Sequence, residues 1–151
     1  MKRINMGRAI LLGIVLLCML TGCYSEPFTY EFRQVRDNVE KVEICAYDHY
    51  EDSKEVLTQL DETDVDALLV DIQSLPCYEG FNVDGPNYCG PVVIFITYTD
   101  GEEEMIGVYK IGWRTTDGKR HTSRMNFKLT DMRTLISKYV DKEILAELEP
   151  F

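Results

Sequence analysis

The sequence contains little histidine or proline, and it has no apolar run long enough to cross a membrane. Among 151 residues there are two His and five Pro. Its apolar run at residues 9–20 is 12 residues long, whereas a membrane-spanning helix needs about 20. The phosphate-loop, dinucleotide-binding, zinc-protease and serine-hydrolase motifs are absent. These absences predict no cofactor, no metal and no catalytic residues.

Basic residues are also scarce. Lys and Arg total 16 against 26 Asp and Glu, a formal net charge of −10. A nucleic-acid-binding protein needs a basic surface, so the charge argues against that class. The chain is 45% apolar and 28% charged, which is typical of a folded protein rather than a disordered one. Its length predicts one domain.

The first 22 residues differ from the rest of the chain. They contain Lys2, Arg3 and Arg8, followed by the apolar residues 9–20, and no acidic residue occurs before Glu26. A basic start followed by a short apolar region is typical of an export signal.

This region ends in Leu20-Thr21-Gly22-Cys23, which resembles the lipobox of bacterial prolipoproteins. The resemblance implies that the Cys23 thiol receives a diacylglyceryl group and that cleavage after Gly22 makes Cys23 the mature N-terminus. The acyl chains, palmitate among them, would hold the protein on the extracytoplasmic face of the cell membrane. A plain secretory signal, or an uncleaved anchor with Cys23 incidental, remains the alternative.

We therefore predict three regions: a signal peptide at 1–22, a short tether at 23–27, and a single extracytoplasmic domain at 28–151. Removal of the signal leaves 129 residues with 13 basic and 26 acidic side chains, a charge of −13. Because the four residues 24–27 that follow Cys23 span at most about 14 Å, we expect the domain to lie close to the bilayer.

Three cysteines remain in the mature domain beyond Cys23. Cys77 and Cys89 flank a stretch rich in turn-forming residues, and export permits a disulfide between them. The alternative is two unpaired thiols near a loop. Cys45 falls in a strand pattern and is predicted to be a small buried residue.

Periodicity predicts an α+β fold in the order β-α-β-β-β-α: an antiparallel meander with two helices packed on one face. Residues 39–47 alternate as a strand, and residues 92–96 form an apolar run typical of a central strand. Thr63 is the predicted N-cap of a helix with a buried stripe at Val65, Leu68, Leu69 and Ile72. Asp100-Gly101 and Asp117-Gly118 predict hairpin turns, the first of them leading into a strand at about 103–113. Thr130 is the predicted N-cap of a last helix, whose apolar stripe runs from Met132 to Val140.

The mature chain also resembles small lipoproteins of Gram-positive anaerobes. The matching pattern includes Glu31-Phe32-Arg33, Val42-Glu43-Ile44, the capped helix and a strand ending in Tyr98-Thr99-Asp100-Gly101. This resemblance implies a class of protein but no activity.

Charge is unevenly distributed along the chain. Residues 55–109 contain 12 acidic and no basic side chains, and residues 110–142 contain nine basic and three acidic ones. One interpretation is pairing of opposite charges across neighbouring strands. In the other, Arg120, Arg124 and Lys128 share an exposed strand face that contacts an anion, a cell-wall polymer or another partner.

These patterns favour a non-catalytic binding or interaction domain at the cell envelope, contacting an envelope protein or a cell-wall polymer. A component that binds or delivers a small molecule is an alternative and would need a deep pocket. A small hydrolase is another and would need Cys, His and an acid within hydrogen-bond reach.

Overall fold

The computed structural model describes residues 26–80 and 88–148. The predicted signal at 1–22, Cys23 and the first part of the tether lie outside these residues. Among the residues described, no helix is long and apolar enough to cross a membrane.

Nine strands and three helices follow one another along the described chain. In order they are β1 (Phe28–Thr29), a 3-10 turn (Arg36–Asn38), β2 (Val39–Asp48), β3 (Ser53–Gln59), α1 (Glu62–Ser74), β4 (Pro76–Glu79), β5 (Val92–Tyr98), β6 (Glu103–Gly107), β7 (Ile111–Arg114), β8 (Arg120–Thr122), β9 (Met125–Phe127), α2 (Leu129–Ile136) and α3 (Lys142–Glu147). Six strands form an antiparallel sheet in the order β3-β2-β5-β6-β7-β8, and three form a smaller sheet in the order β1-β4-β9. The predicted α+β meander with helices is confirmed.

The central strand β5 separates two apolar clusters. Successive strand residues point to opposite faces, so Ile94 and Ile96 join the main core while Val93 and Phe95 join a smaller cluster. All three helices contribute to the main core, through residues such as Leu68, Ile136 and Leu145. The helices therefore lie on one face of the large sheet, as predicted.

Helix α1 begins at a different cap from the one predicted. The Asp61 carboxylate accepts a hydrogen bond from the backbone N–H of Asp64 at 2.9 Å, and Thr63 already lies inside the helix. The predicted stripe is buried as expected. The helix ends before Pro76, because the residue that precedes a proline is disfavoured in helical geometry.

Two of the predicted strands are interrupted in the structure. The predicted strand at about 103–113 is interrupted by a turn at 108–110, which separates β6 from β7. The single strand that would place Arg120, Arg124 and Lys128 on one face is also wrong, because the chain leaves the large sheet after β8 and enters the smaller sheet as β9. Ser123 explains the break: its hydroxyl donates to the Ile111 carbonyl at 3.0 Å and accepts from the Met125 N–H at 3.0 Å, in competition with the ladder.

The last helix is also shorter than predicted. Helix α2 begins at Leu129 with Lys128 as its N-cap residue, so the predicted cap at Thr130 is wrong. Val140 packs in the core beyond the end of α2. The residues beyond Val140 form the separate short helix α3 (Lys142–Glu147) and do not extend α2.

Candidate binding site

A buried carboxylate fixes the N-terminal strap, which we define as residues 30–38, to the large sheet. Glu104 on β6 is fully buried, and its carboxylate accepts hydrogen bonds from the hydroxyls of Tyr30 and Tyr98. The backbone N–H of Arg33 donates to Glu104 Oε2 at 3.2 Å. Because an unpartnered buried charge is strongly unfavourable, Glu104 requires these donors. The strap is thereby held against the sheet.

Both tyrosine hydroxyls donate to Glu104 in this arrangement. Burial, together with the neighbouring Glu104, raises the pKa of Tyr30 and of Tyr98 above the ordinary tyrosine value. Both hydroxyls therefore keep their protons well above neutral pH.

Surface contacts complete the attachment of the strap. The Gln34 amide donates to Asp100 Oδ2 at 2.7 Å, and the Thr99 N–H donates to the Asn38 carbonyl at 2.9 Å. Arg36 forms an ion pair with Asp66 of α1. The strap is thus joined to the β5–β6 hairpin on one side and to α1 on the other.

A groove of about 480 Å³ lies between the strap and α1. Its apolar lining consists of Phe32, Val35, Val39, Leu69 and Val70. Val35 and Val70 are each 67% exposed, so the groove is open to solvent. Its polar lining consists of Glu31, Gln34, Arg36, Asp66 and Gln73.

The helix that forms one side of the groove is acidic. Helix α1 carries Glu62, Asp64, Asp66 and Asp71 and no basic residue. Among the residues that the structure describes, the one cationic side chain that lines the groove is Arg36, and it is paired with Asp66. Glu31 and Asp66 against Arg36 leave the groove lining with one excess negative charge, while Asp71 of α1 is paired with Lys138.

The structure does not bring the predicted anion-contact residues together. Arg120 lies on β8 of the large sheet, Arg124 lies in the chain segment that connects β8 to β9 of the smaller sheet, and Lys128 precedes α2. The prediction that the three share one strand face is therefore wrong, because the strand is interrupted at Ser123. The Lys128 ammonium lies 5.6 Å from the centre of the Tyr78 ring.

Arg120 makes internal contacts. Its guanidinium donates to the Tyr47 hydroxyl at 2.8 Å and to the His49 carbonyl at 3.2 Å, and lies 3.5 Å from the Asp52 carboxylate. The hydrogen bond with Tyr47 is the main cause that raises the pKa of Arg120. These contacts tie β8 to the loop between β2 and β3.

Opposite charges pair across the large sheet, as the other interpretation of the charge distribution predicts. Glu103 and Arg114 are directly opposed on β6 and β7 and approach to 3.2 Å. Lys54 on β3 reaches Glu103 at 2.9 Å, and Arg114 reaches Asp52 at 2.6 Å. The Glu103–Arg114 pair therefore joins the acidic segment of the sequence directly to the basic one.

Cys77 and Cys89 are unpaired in the structure, which is the second of the two alternatives that the sequence left open. Both residues are free and buried. Cys77 belongs to the main core and Cys89 to the smaller cluster, so the large sheet lies between the two thiols. Sequence spacing placed them at the ends of one loop but carried no information about which face each occupies.

The thiols are poor nucleophiles in this setting. Burial raises the pKa of Cys45 and of Cys77 to about 11, and that of Cys89 to about 12. The reactive form of cysteine is the thiolate, which is rare at neutral pH for such groups. Cys45 is fully buried, which confirms its predicted role as a small core residue.

The histidines contact aromatic rings. His49 stacks on Tyr88 with ring centres 5.3 Å apart, and His121 stacks on Trp113 at 5.0 Å. Over residues 26–80 and 88–148, no group of three His, Cys, Asp or Glu side chains is arranged to hold a metal ion.

Sequence reasoning missed both the Glu104 contact and the groove. Alternation along β6 places Glu104 on the same face as Ile106, and an acid at a core-facing position was the available signal. No comparable signal marked the groove, because its two sides are distant in sequence.

No protein-family model, curated protein or solved structure matches this chain.

Proposed function

We propose that this protein is a non-catalytic binding domain, held by a lipid on Cys23 at the extracytoplasmic face of the cell membrane. Its groove between the strap and α1 receives a basic, amphipathic segment of a partner protein of the cell envelope. The observation that carries the proposal is the groove itself, with two valines 67% exposed beside an acidic helix.

The chemistry of the described residues supports binding rather than catalysis. A nucleophilic cysteine needs an adjacent base and a low thiol pKa, whereas burial raises the pKa of each of the three described thiols. The buried Glu104 is fully engaged with the strap and with Tyr98 of β5. These features favour a role in recognition.

The shape and charge of the groove favour a peptide segment as its occupant. Pockets for small molecules bury most of the ligand surface, whereas the walls at Val35 and Val70 are largely open. Anionic lipid would be repelled by the acidic residues of α1. A peptide with an aliphatic side chain flanked by Lys or Arg would cover Val35 and Val70 and would place its cations beside the acidic residues of α1.

Photo-crosslinking in cells tests this occupant. The full-length protein would carry p-benzoylphenylalanine in place of Val35 or of Val70, with Val56 as the matched control. Val56 is also an exposed valine, 47% exposed, but lies on the edge strand β3. We expect both groove positions to capture the same partner peptide, rich in Lys or Arg beside aliphatic residues, and the control to capture none of it.

Charge reversal by Asp66→Lys should reduce this crosslinking several-fold. The peptide-binding proposal is overturned if positions 35 and 70 capture no common peptide, or if the captured segment is acidic.

Metabolic labelling tests the anchor separately. Cells grown with labelled palmitate should incorporate label into the wild-type protein and none into Cys23→Ser. An unlabelled wild type, or label that survives the substitution, would contradict lipidation and leave the groove proposal to its own test.

A further inference from the structure

Four aromatic side chains from three separate loops meet at one end of the large sheet. His49 and Tyr50 lie in the loop between β2 and β3, Tyr88 precedes β5, and Tyr109 lies in the turn between β6 and β7. Their ring centres are 5.8 Å apart for His49 and Tyr50, 5.3 Å for His49 and Tyr88, and 5.8 Å for Tyr88 and Tyr109. We call these four residues the aromatic cluster.

The β2–β3 loop that presents two of the rings is held by specific contacts. The Asp48 carboxylate accepts from the backbone N–H groups of Tyr50 at 2.8 Å and Glu51 at 3.1 Å. Asp52 has a φ of 53°, a left-handed conformation that is uncommon outside glycine. Its carboxylate accepts from the Tyr47 hydroxyl at 2.9 Å and from Arg114 at 2.6 Å. The loop is therefore fixed in shape.

The other two rings are positioned by a close approach of two backbones. The Tyr109 N–H donates to the Cys89 carbonyl at 2.9 Å. A Cβ on Gly107 would lie 2.0 Å from that same carbonyl oxygen, and a Cβ on Gly90 would lie 2.5 Å from Val108. Only glycine at both positions permits this contact, which brings Tyr88 and Tyr109 together.

Core packing accounts for Tyr109, which lies against the main core, but not for the other three rings. Tyr50 is 91% exposed, and the other three residues are partly exposed. A large aromatic side chain gains little free energy from burial in such a position. Each member instead presents a ring together with a polar edge: three hydroxyls and one imidazole.

We propose that the aromatic cluster binds a glycan. One face of a pyranose ring exposes C–H groups, whose partial positive charge is attracted to the negative face of an aromatic ring. The sugar hydroxyls extend from its edge, where tyrosine hydroxyls and the imidazole can form hydrogen bonds with them. The exposed ring of Tyr50 is the main stacking surface, and the rings of His49 and Tyr88 support it.

The geometry favours a sugar over a cation. A cage for a quaternary ammonium group needs several ring faces directed at one centre. The His49 and Tyr88 planes are within 24° of each other, so these two rings cover one another's faces.

The site is also separate from the groove. The cluster adjoins the start of β5. The strap instead contacts the chain just beyond the end of β5, where the Thr99 N–H donates to the Asn38 carbonyl. The glycan proposal therefore does not depend on the proposed peptide occupant.

Saturation-transfer NMR on the full-length protein in detergent tests the proposal. The probes are chitotetraose, cellotetraose and maltotetraose, with choline as the cationic comparison. We expect at least one tetrasaccharide to receive magnetisation through its ring C–H protons. Tyr50→Ala should weaken its binding at least tenfold, and Tyr50→Phe should weaken it less because the ring remains.

Tyr78→Phe, outside the cluster, serves as the matched control and should leave binding unchanged. Circular dichroism should show the same melting temperature for Tyr50→Ala and wild type, because the side chain is exposed. Binding of no tetrasaccharide, binding of choline alone, or equal affinity in Tyr50→Ala would each overturn the proposal.

Discussion

Glu104 shows how one buried acid can organise a segment that has almost no regular structure. The strap contains only a 3-10 turn, yet Tyr30 is 2% exposed and packs edge-to-face against both Phe32 and Phe127. Its hydroxyl reaches across 74 positions of sequence to Glu104. A hydrogen bond to a charged group contributes about 1.5–3 kcal/mol, so this residue is a principal attachment point of the strap.

Stability at alkaline pH should report on this contact. Unfolded tyrosine loses its proton near pH ~10, while the raised pKa values of Tyr30 and Tyr98 keep both protonated in the folded protein. Their contribution is therefore fully present below pH ~10 and is lost above it, since the unfolded chain then binds fewer protons.

We expect the free energy of unfolding, measured by urea titration from pH 8 to 11.5, to fall with pH above pH ~10. Tyr30→Phe and Tyr98→Phe should each reduce the steepness of that fall, by up to about 1.4 kcal/mol per pH unit. Slopes identical to wild type in both variants would contradict the assignment.

Helix α1 performs two structural tasks at once. Its buried stripe packs into the main core, and its exposed side contributes Asp66 and Val70 to the groove. The position of its first turn is set by Asp61, whose carboxylate satisfies one of the free N–H groups at the start of the helix. Stable capping therefore also fixes one wall of the candidate site.

Substitution of the cap distinguishes Asp61 from Thr63. Asp61→Ala should lower the free energy of unfolding by about 1 kcal/mol, because the Asp64 N–H loses its partner. Asp61→Asn should retain most of the stability, since an amide oxygen also accepts. Thr63→Ala is the matched control, and a larger loss there than in Asp61→Ala would restore Thr63 as the cap. Thermal unfolding followed by circular dichroism makes the comparison.

The whole molecule is a sheet with apolar material on both faces. The main core unites the helices, the smaller sheet and one face of the large sheet. The smaller cluster on the opposite face contains Cys45, Tyr47, Cys89, Val93, Phe95 and Met105, with Lys54 over the Phe95 ring at 4.5 Å. Ion pairs among β3, β6 and β7 lie over this second face.

This arrangement predicts the state of the thiols. Iodoacetamide at pH 8 should leave Cys45, Cys77 and Cys89 unmodified in the folded protein, because all three are buried and burial raises their pKa values. After unfolding without reductant, all three should react, as located by peptide mass spectrometry. Modification of Cys45 alone would show that Cys77 and Cys89 are bridged.

Local sequence patterns predicted much of the fold. The apolar run at residues 92–96 identified the central strand because a strand covered on both faces needs no polar alternation. Asp100-Gly101 and Asp117-Gly118 identified two hairpins because glycine readily adopts positive φ, and both glycines do. The Val65–Ile72 stripe identified the buried face of α1. These are properties of neighbouring residues, and sequence records them directly.

The features most relevant to binding were decided only by the tertiary structure. Three such features depend on residues that are far apart in sequence. They are the opposite faces of the sheet that Cys77 and Cys89 occupy, the hydrogen-bond partners of Glu104, and the contact between the strap and α1. The edge strand β3 was missed for a related reason: its mostly exposed side chains show little apolar alternation, so only pairing with β2 defines it. Local sequence thus determined most of the elements, while long-range packing determined β3, the groove and the aromatic cluster, because those features exist only where separate segments come together.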